Sequence, residues 1–307
     1  MKETLKNILS RREFLAGTGV VLLTGLLGGC TAKEVTKTIT STKTITSSGT
    51  TTLTGTTTKT ITESGELSGT ITIGGSTTVQ PLSETLANAF KEIFPKIEIT
   101  VTGGGSSVGI KSASEGTLDI GAASRELKDS EKSGLVASVL AYDGIAVVTN
   151  AAQTVANLSI EQIKQIFAGE ITNWSEVGGA KEDIVIVSRE EGSGTRAAFE
   201  EMVMGKTLIS ASAILQSSTG ALKTTVAGNK KAIGYISMGY LDSSVKALSI
   251  DGVAGTEANA KNGSYPIVRP LLYVTKGNPQ GIVKKFIDFC RGIAGQAIVA
   301  EDYISIL

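Results

Sequence analysis

The regular alternation of predicted strands and helices after residue 65 constrains the fold of this chain more than any other feature. Short runs of β-branched and apolar residues alternate with longer segments in which apolar residues recur at helical spacing. Strands are predicted at 70–74, 97–102, 118–122, 184–188, 232–237 and 271–275, and helices at 81–94, 108–115, 160–167, 195–203, 222–227, 279–291 and 295–303. Such alternation indicates an α/β architecture with a largely parallel sheet, and residues 66–307 fit two lobes of this kind better than one. A further apolar stretch, 135–148, is interrupted by Tyr142-Asp143-Gly144.

Three of the predicted strand-to-helix junctions combine glycine with serine or threonine. They lie at Gly74–Thr78, Gly103–Ser107 and Gly192–Thr195. Glycine lets the backbone approach a ligand closely, while the start of a helix offers free N–H groups and a partial positive charge. Helix capping explains any single junction equally well, but three in one chain favour a site that binds an oxyanion.

The composition excludes several classes of enzyme. The chain has no histidine and two cysteines, so a Ser-His-Asp triad, a histidine base, a His-ligated zinc and a Cys-rich metal site are ruled out. Gly105–Gly109 fits the pattern of a nucleophile elbow, but no histidine is present to activate its serine. None of the glycine-rich loops ends in the Gly-Lys-Ser/Thr of a phosphate-binding P-loop, and the carboxylates are not grouped at metal-ligand spacing.

The overall charge gives an anion no general attraction to the predicted α/β part. The whole chain carries 29 basic and 29 acidic side chains, which argues against a nucleic-acid partner. Residues 66–307 carry 21 basic and 25 acidic side chains, a net charge of −4. Anion binding must therefore depend on a local site rather than on the field of the protein.

Residues 1–30 have the pattern of an export signal. Ser10–Leu15 resembles the twin-arginine motif, and an apolar stretch from Phe14 to Gly29 follows it. Leu27–Cys30 resembles a lipobox, in which Cys30 becomes the lipidated N-terminus of the mature protein. An uncleaved signal anchor is the alternative, and both interpretations place the rest of the chain outside the cytoplasm, on the outer face of the membrane.

Residues 31–65 are predicted to be a disordered stalk. They contain 16 threonines and 4 serines, and Lys-Thr-Ile-Thr occurs at 37–40, 43–46 and 59–62. The segment has almost no large apolar side chain to bury, and such tracts are typical of O-glycosylated tethers. The alternation of threonine and isoleucine could instead form a strand.

Four motifs of the α/β part occur in an order that resembles a known family. They are Gly75–Pro81, Gly105–Lys111, Asp119–Glu126 and Arg189–Arg196, with Asp143–Val147, Ile171–Trp174 and Ala232–Tyr235 between and after them. Over residues 68–305 this set resembles the PstS family, the periplasmic phosphate-binding proteins of ABC transporters.

The resemblance implies a type II periplasmic-binding-protein fold, in which two α/β lobes with a central cleft are joined by two crossing strands. Lobe 1 would comprise residues 66–143 and 243–307, and lobe 2 residues 144–242, so that the chain leaves lobe 1 near Asp143 and returns after about Asp242. The lobes would close around one phosphate, without catalysis or a cofactor. The implied partners are the permease subunits of an ABC importer with its cytoplasmic ATPase, and the binding protein itself would be a monomer.

The family motifs also imply the residues of the site. Phosphate would be held by donors from three loops of lobe 1 and one of lobe 2: Ser76, Thr77, Thr78, Ser106, Ser107, Ser124, Arg125, Arg189, Ser193, Gly194 and Thr195. Arg189 would be the charge partner, and Glu191 would orient it.

The chain departs from the family at Ser124-Arg125, where many members have Ser-Asp and use that aspartate to accept the proton of phosphate. Asp143 is the alternative acceptor, unless it is simply a hinge or turn residue before Gly144. A buried carboxylate accepts a hydrogen bond from phosphate but meets sulfate without a proton between them, which can give about 10⁴–10⁵ discrimination.

Other functions fit the sequence less well. Another tetrahedral oxyanion, such as sulfate or molybdate, could occupy the same site. An anchored phosphohydrolase would need a metal cluster or a nucleophile–base pair. A purely structural surface protein is suggested only by the stalk.

Overall fold

The computed structural model of the chain describes residues 67–307 in full and, before them, the backbone of two strands at 37–42 and 56–61. The predicted export motif and the lipid-attachment residue Cys30 lie outside the described residues. Among those that are described, no helix combines the length and the apolar character needed to cross a membrane.

The threonine-rich segment contains secondary structure. Strand β1 (Lys37–Thr42) pairs antiparallel with β2 (Thr56–Ile61). These strands hold the first copy of Lys-Thr-Ile-Thr and most of the third, so the expectation of a segment without regular structure is wrong at these positions. Threonine and isoleucine are β-branched and favour extended backbone, which is the physical reason for the difference. The second copy, at 43–46, lies outside the described residues, and the role of a stalk stays a prediction.

Residues 67–307 form one compact unit of alternating strands and helices. Its strands are β3 (Gly69–Gly75), β4 (Ile97–Thr102), β5 (Ile120–Ala123), β6 (Leu135–Asn150), β7 (Asn157–Leu158), β8 (Val185–Arg189), β9 (Ile214–Gln216), β10 (Ala232–Ser237), β11 (Val245–Ala247), β12 (Ser249–Ile250) and β13 (Val268–Lys276). Its α-helices are α1 (Gln80–Ile93), α2 (Ser106–Glu115), α3 (Ile160–Ala168), α4 (Gly194–Phe199), α5 (Thr219–Ala227), α6 (Glu257–Lys261), α7 (Gly281–Arg291) and α8 (Ile293–Val299).

The unit has two main hydrophobic cores. The first core lies around β3, β4 and β5, which are parallel, and α1 and α7 cover it. Its buried residues include Ile71, Ile73, Leu86, Phe90 and Phe286. The second core lies around β8, β9 and β10, which are also parallel, and its buried residues include Phe167, Trp174, Val187, Phe199 and Tyr235.

Strand β6 joins the two cores in one nine-stranded sheet. Its residues 135–144 pair antiparallel with β13 beside the first core, and its residues 145–150 pair antiparallel with β10 and β11 beside the second. The expected largely parallel sheet is therefore parallel only on its two flanks. Tyr142-Asp143-Gly144 interrupts the apolar run but not the strand, since β6 continues through all three residues, which pair with β13. A Cβ on Gly144 would clash with the side chain of Met238.

The chain returns to the first core later than the family motifs imply. Residues after Asp242 continue in the second core, where β11 pairs with β6 and Leu248, Ile250 and Ile267 are fully buried. The crossing back occurs at the start of β13, so the predicted boundary after Asp242 is about 25 residues too early. The apolar side chains of 245–267 explain the difference, since they bury against the second core.

Candidate functional site

Four loops meet between the two cores, each at the carboxyl end of a parallel strand. The loops after β3, β4 and β8 are the three junctions predicted from glycine and hydroxyl residues, and they lead into α1, α2 and α4. A fourth, Ser217–Thr219 after β9, leads into α5 and was missed. The starts of four helices therefore converge, which brings the partial positive charges of their first turns together.

Four threonines, two from each core, hydrogen-bond to one another, and we call them the threonine cluster. The Oγ1 of Thr78 lies 2.9 Å from that of Thr195 and 3.2 Å from that of Thr219. The Oγ1 of Thr77 lies 3.4 Å from the same atom of Thr219. Thr78, Thr195 and Thr219 are buried, so these hydroxyls form a polar centre that is shielded from water.

A second group of buried hydroxyls links the first-core loops to one another. Ser76 donates to Ser124 Oγ at 2.9 Å, and the N–H of Ser124 donates to Ser106 Oγ at 3.1 Å. Ser193 is also buried and caps α4 by accepting from the N–H of Arg196. Gly194 packs against this group so closely that a Cβ there would lie 2.7 Å from Ser124 Oγ. Predicted site residues from the loops after β3, β4, β5 and β8 are thus brought together.

Arg189 is the buried cation on the second-core side. Its Nη1 donates to Thr219 Oγ1 at 3.1 Å, its Nε to Gln216 O at 3.0 Å, and its Nη2 to Glu190 Oε1 at 2.9 Å. The carboxylate that orients Arg189 is therefore that of Glu190, and the expectation that Glu191 does so is wrong. Glu190 follows Arg189 directly and reaches two of its nitrogens, since its Oε2 accepts from Nε at 3.1 Å.

The side chains of Tyr235 and Arg196 hold the backbone of Arg189 in place. Tyr235 OH lies 2.7 Å from Ser188 Oγ and accepts from the N–H of Arg189, and Arg196 Nη1 donates to Arg189 O at 3.0 Å. The ring of Tyr235 stacks on Phe199 at 4.1 Å. Burial raises the pKa of Tyr235 to about 12, so its hydroxyl stays protonated at neutral pH.

Arg125, which replaces the family's usual aspartate, is buried but already paired. Its Nη1 and Nη2 donate to the two carboxylate oxygens of Glu131 at 2.7 and 2.8 Å, and this guanidinium lowers the pKa of Glu131. Its Nη2 also donates to Ser107 Oγ at 3.2 Å. The N–H of Ser107, on the first-core side, in turn donates to Gly192 O on the second-core side at 3.1 Å. Arg125 thus lies beside the site and contacts it through Ser107.

Asp143 reaches the threonine cluster only through another residue. Its Oδ2 accepts from Nη2 of Arg269 at 2.9 Å and from Nε at 3.1 Å, and its Oδ1 accepts from Ser237 Oγ at 2.8 Å. The Nη2 of Arg269 lies 3.4 Å from Thr78 Oγ1. Burial raises the pKa of Asp143, and the positive charge of Arg269 opposes that shift.

Two tyrosines hold the backbone of the first loop. Tyr240 OH donates to Thr77 O at 2.5 Å, and Tyr303 OH donates to Thr78 O at 3.2 Å. Tyr240 packs against the second core, whereas the loop belongs to the first, so its bond is a further link between the two. Burial raises the pKa of Tyr240 to about 12, which keeps this donor protonated.

Sequence reasoning missed Thr219, Arg269 and Tyr240. Thr219 carries the signal of the three predicted junctions, a helix start with hydroxyls, and could have been found from Ser217-Ser218-Thr219-Gly220. Arg269 is a single charge in an otherwise apolar run, and Tyr240 has no distinguishing pattern around it. Both depend on which strands become neighbours.

Chemically, the arrangement offers hydrogen-bond donors and positive charge in a buried place. Serine and threonine hydroxyls, helix starts and the guanidinium groups of Arg189 and Arg269 are the groups that bind oxyanions in proteins. Within residues 67–307 and the two described strands, no three carboxylate or thiol groups lie together in a way that could hold a metal ion.

Comparison with known proteins identifies the fold. A family model described as the PBP superfamily domain matches residues 40–291. The phosphate-binding protein PstS of Bacillus subtilis is 37% identical over 241 residues, which cover 76% of this chain and 79% of that protein. The mixed α/β fold also matches solved structures of phosphate-binding proteins.

Two solved structures illustrate the similarity. A putative phosphate ABC transporter substrate-binding protein from Clostridium perfringens, with bound phosphate, is 45% identical; the match covers 78% of this chain and all of that one, with a TM-score of 0.76. An ABC-type phosphate transport receptor from Vibrio cholerae is 35% identical over 77% of this chain and all of its own, with a TM-score of 0.66. The chain therefore belongs to the PstS family of phosphate-binding proteins, within the PBP-like superfamily.

Proposed function

We propose that this protein captures inorganic phosphate outside the cytoplasm and delivers it to an ABC-type importer. The observation that carries the proposal is the threonine cluster, where hydroxyls from both cores meet beside a fully buried guanidinium group, that of Arg189. Relatives that match most of the chain are phosphate-binding proteins, not enzymes. The protein therefore binds its ligand without transforming it.

Binding uses the two cores as two lobes that close on the anion across a cleft. Thr77 and Thr78 come from the first-core side, and Thr195 and Thr219 from the second, so an anion among them contacts both at once. A ligand that bonds to both lobes stabilises the closed form over the open one. Strands β6 and β13, which cross between the cores, are the hinge of this movement.

Donors for phosphate come from the predicted loops. Ser76, Ser106, Ser107, Ser124, Ser193 and Gly194 supply hydroxyl or backbone N–H groups around the threonine cluster. Arg189 supplies a charge-assisted bond, which is roughly twice as strong as a neutral one. Arg125 acts through Ser107, because Glu131 already occupies both ends of its guanidinium group.

Hydroxyl groups, rather than Asp143, accept the proton of phosphate. Both oxygens of Asp143 already accept from Arg269 and Ser237. A threonine or serine hydroxyl can accept from phosphate, but it can also turn and donate to sulfate. Discrimination against sulfate is therefore expected to be smaller than the roughly 10⁴–10⁵ that a buried carboxylate acceptor can give.

The site is held at the membrane surface by the N-terminal region. Cys30 is the proposed lipid-attachment residue, and residues 31–65 are the tether between it and the binding unit. Because one acyl chain anchors a protein only marginally, a lipid with more than one chain is expected on the mature cysteine. The permease of the importer would recognise the closed form.

Calorimetric titration of the full chain in mild detergent, after removal of bound ligand, tests the proposal with phosphate, sulfate and molybdate at neutral pH. We expect one-to-one phosphate binding that is tighter than sulfate binding, by less than about 10⁴. Tighter binding of sulfate or molybdate would contradict the choice of phosphate. No heat from any of the three would contradict anion binding altogether.

A further inference from the structure

Asp143 and Arg269 form an ion pair in the interior of the protein. Their side chains are each only 1% exposed, and the bond between Arg269 Nη2 and Asp143 Oδ2 is 2.9 Å long. Burying two charges is costly, and such a pair often stabilises a protein no more than apolar residues of the same size. Stability alone is therefore a weak explanation for an arginine and an aspartate at these positions.

The pair lies where the chain crosses between the two cores. Arg269 stands opposite Asp143 in the ladder between β13 and β6, next to the point where β6 turns from β13 to β10. Ser237, the last residue of β10, donates to the free oxygen of Asp143 at 2.8 Å. The pair is thus bonded to the second core as well as to both crossing strands.

The remaining donors of Arg269 point toward the first-core loops of the site. Its Nη1 donates to Ser124 O at 3.1 Å, and its Nη2 lies 3.4 Å from Thr78 Oγ1. Thr78 Oγ1 is the hydroxyl that contacts both Thr195 and Thr219. The guanidinium group of Arg269 therefore contacts the crossing strand β6 through Asp143, the loop after β5 through Ser124, and the threonine cluster through Thr78.

We propose that Arg269, oriented by Asp143, is a positioning residue of the phosphate site, and that it fixes Thr78 and Ser124 relative to the crossing strands. The inference rests on the proposed phosphate function. A planar group with five N–H donors can hold these partners together, whereas the single ammonium group of a lysine cannot. Arg269 also adds positive charge: it and Arg189 lie on two sides of the threonine cluster, each balanced by one carboxylate.

The electrostatics of Arg269 agree with this role. Burial lowers the pKa of Arg269, the charge of Asp143 raises it, and the like charge of Arg189 lowers it further. Two guanidinium groups that repel each other through a buried site are both stabilised when an anion enters between them.

Two variants and a control test the proposal in the full chain. Arg269→Lys keeps the charge and the pairing with Asp143 but loses the planar group with its five N–H donors. Asp143→Asn combined with Arg269→Gln removes both charges and leaves no unpaired ion buried. Arg291→Gln is the control, since Arg291 is exposed and its hydrogen bond within residues 67–307 is to Val139 O. The phosphate Kd is measured by calorimetry, and the thermal midpoint without phosphate by circular dichroism.

We expect Arg269→Lys to weaken phosphate binding about tenfold and the double variant about a hundredfold, while the control binds like the wild type. A merely structural pair would lower the thermal midpoint and leave the Kd of the folded protein unchanged. A folded variant of either kind with a Kd within about twofold of the wild type would overturn the inference. The wild type and the control report separately on the proposed function, because their failure to bind phosphate would overturn that function itself.

Discussion

Replacing Arg189 by glutamine tests the charge on the second-core side of the site. Among the described contacts, Nε and Nη2 of Arg189 are engaged by Glu190, Gln216 O and Ser217 O, and one Nη1 N–H is taken by Thr219. One N–H of Nη1 remains for an anion beside Thr219. The expected loss is therefore that of a single charge-assisted hydrogen bond, about 1.5–3 kcal/mol.

That loss corresponds to phosphate binding that is roughly 10- to 150-fold weaker in Arg189→Gln. The assay is calorimetric titration at neutral pH, with circular dichroism to show that the variant is folded. Lys223→Gln is the matched control, because Lys223 lies on α5, as Thr219 does, but its ion pair with Asp242 is at the surface. A folded Arg189→Gln protein with the Kd of the control would refute the reasoning.

Three further changes have distinct expected outcomes. Tyr240→Phe removes the 2.5 Å bond to Thr77 O between the two cores, so phosphate binding should weaken about fivefold in calorimetry; an unchanged Kd would mean that this bond does not favour closure. Gly194→Ala places a Cβ against two serine hydroxyls and should weaken binding about tenfold or more, while Gly220→Ala, with open space around its Cβ, should not; equal affinities would contradict the close packing. Glu131→Gln removes a carboxyl whose pKa lies below its ordinary value of 4.5. Its ion pair stabilises the protein above that pH and is lost as pH falls, so urea midpoints of the variant should decline less than those of the wild type between about pH 5 and pH 3.

Local sequence patterns predicted most of the elements in residues 67–307. The strands Ile97–Thr102 and Ala232–Ser237 were predicted with their exact ends. Helix α2 ends at Glu115 as predicted, and Gly116 after it has a left-handed conformation. These features depend on residues close in sequence, such as a β-branched run or a glycine after a helix. The last helix was predicted to 303 but ends at Val299.

Features that depend on distant neighbours could not be predicted. Tyr303 lies beyond the end of α8 and donates to Thr78 O, 225 residues away in the chain. The partnership of Arg269 with Asp143 depends on the register of β13 against β6, which no local pattern determines. Glu191 was predicted in place of Glu190 because both residues are close enough in sequence to pair with Arg189.

The predicted site residues differ in the same way. Those within the glycine and hydroxyl junctions are brought together, because each junction places its own residues at the end of a strand. Arg125 was predicted because it occupies the place of the family's aspartate, and Asp143 because it lies at the expected crossing between the lobes. In this chain both carry ion pairs of their own. Whether a charged side chain is free to bind a ligand depends on whether another residue of the chain forms an ion pair with it. That residue can lie far away in the sequence.

A crystal structure of the protein with arsenate, which has the shape of phosphate, would test the central claim most directly. The anomalous signal of arsenic locates the anion without ambiguity. We predict one anomalous peak among Thr78, Thr195 and Thr219, with its oxygens within hydrogen-bonding distance of Arg189. A peak at another place on the protein, with the threonine cluster unchanged, would contradict the proposed site.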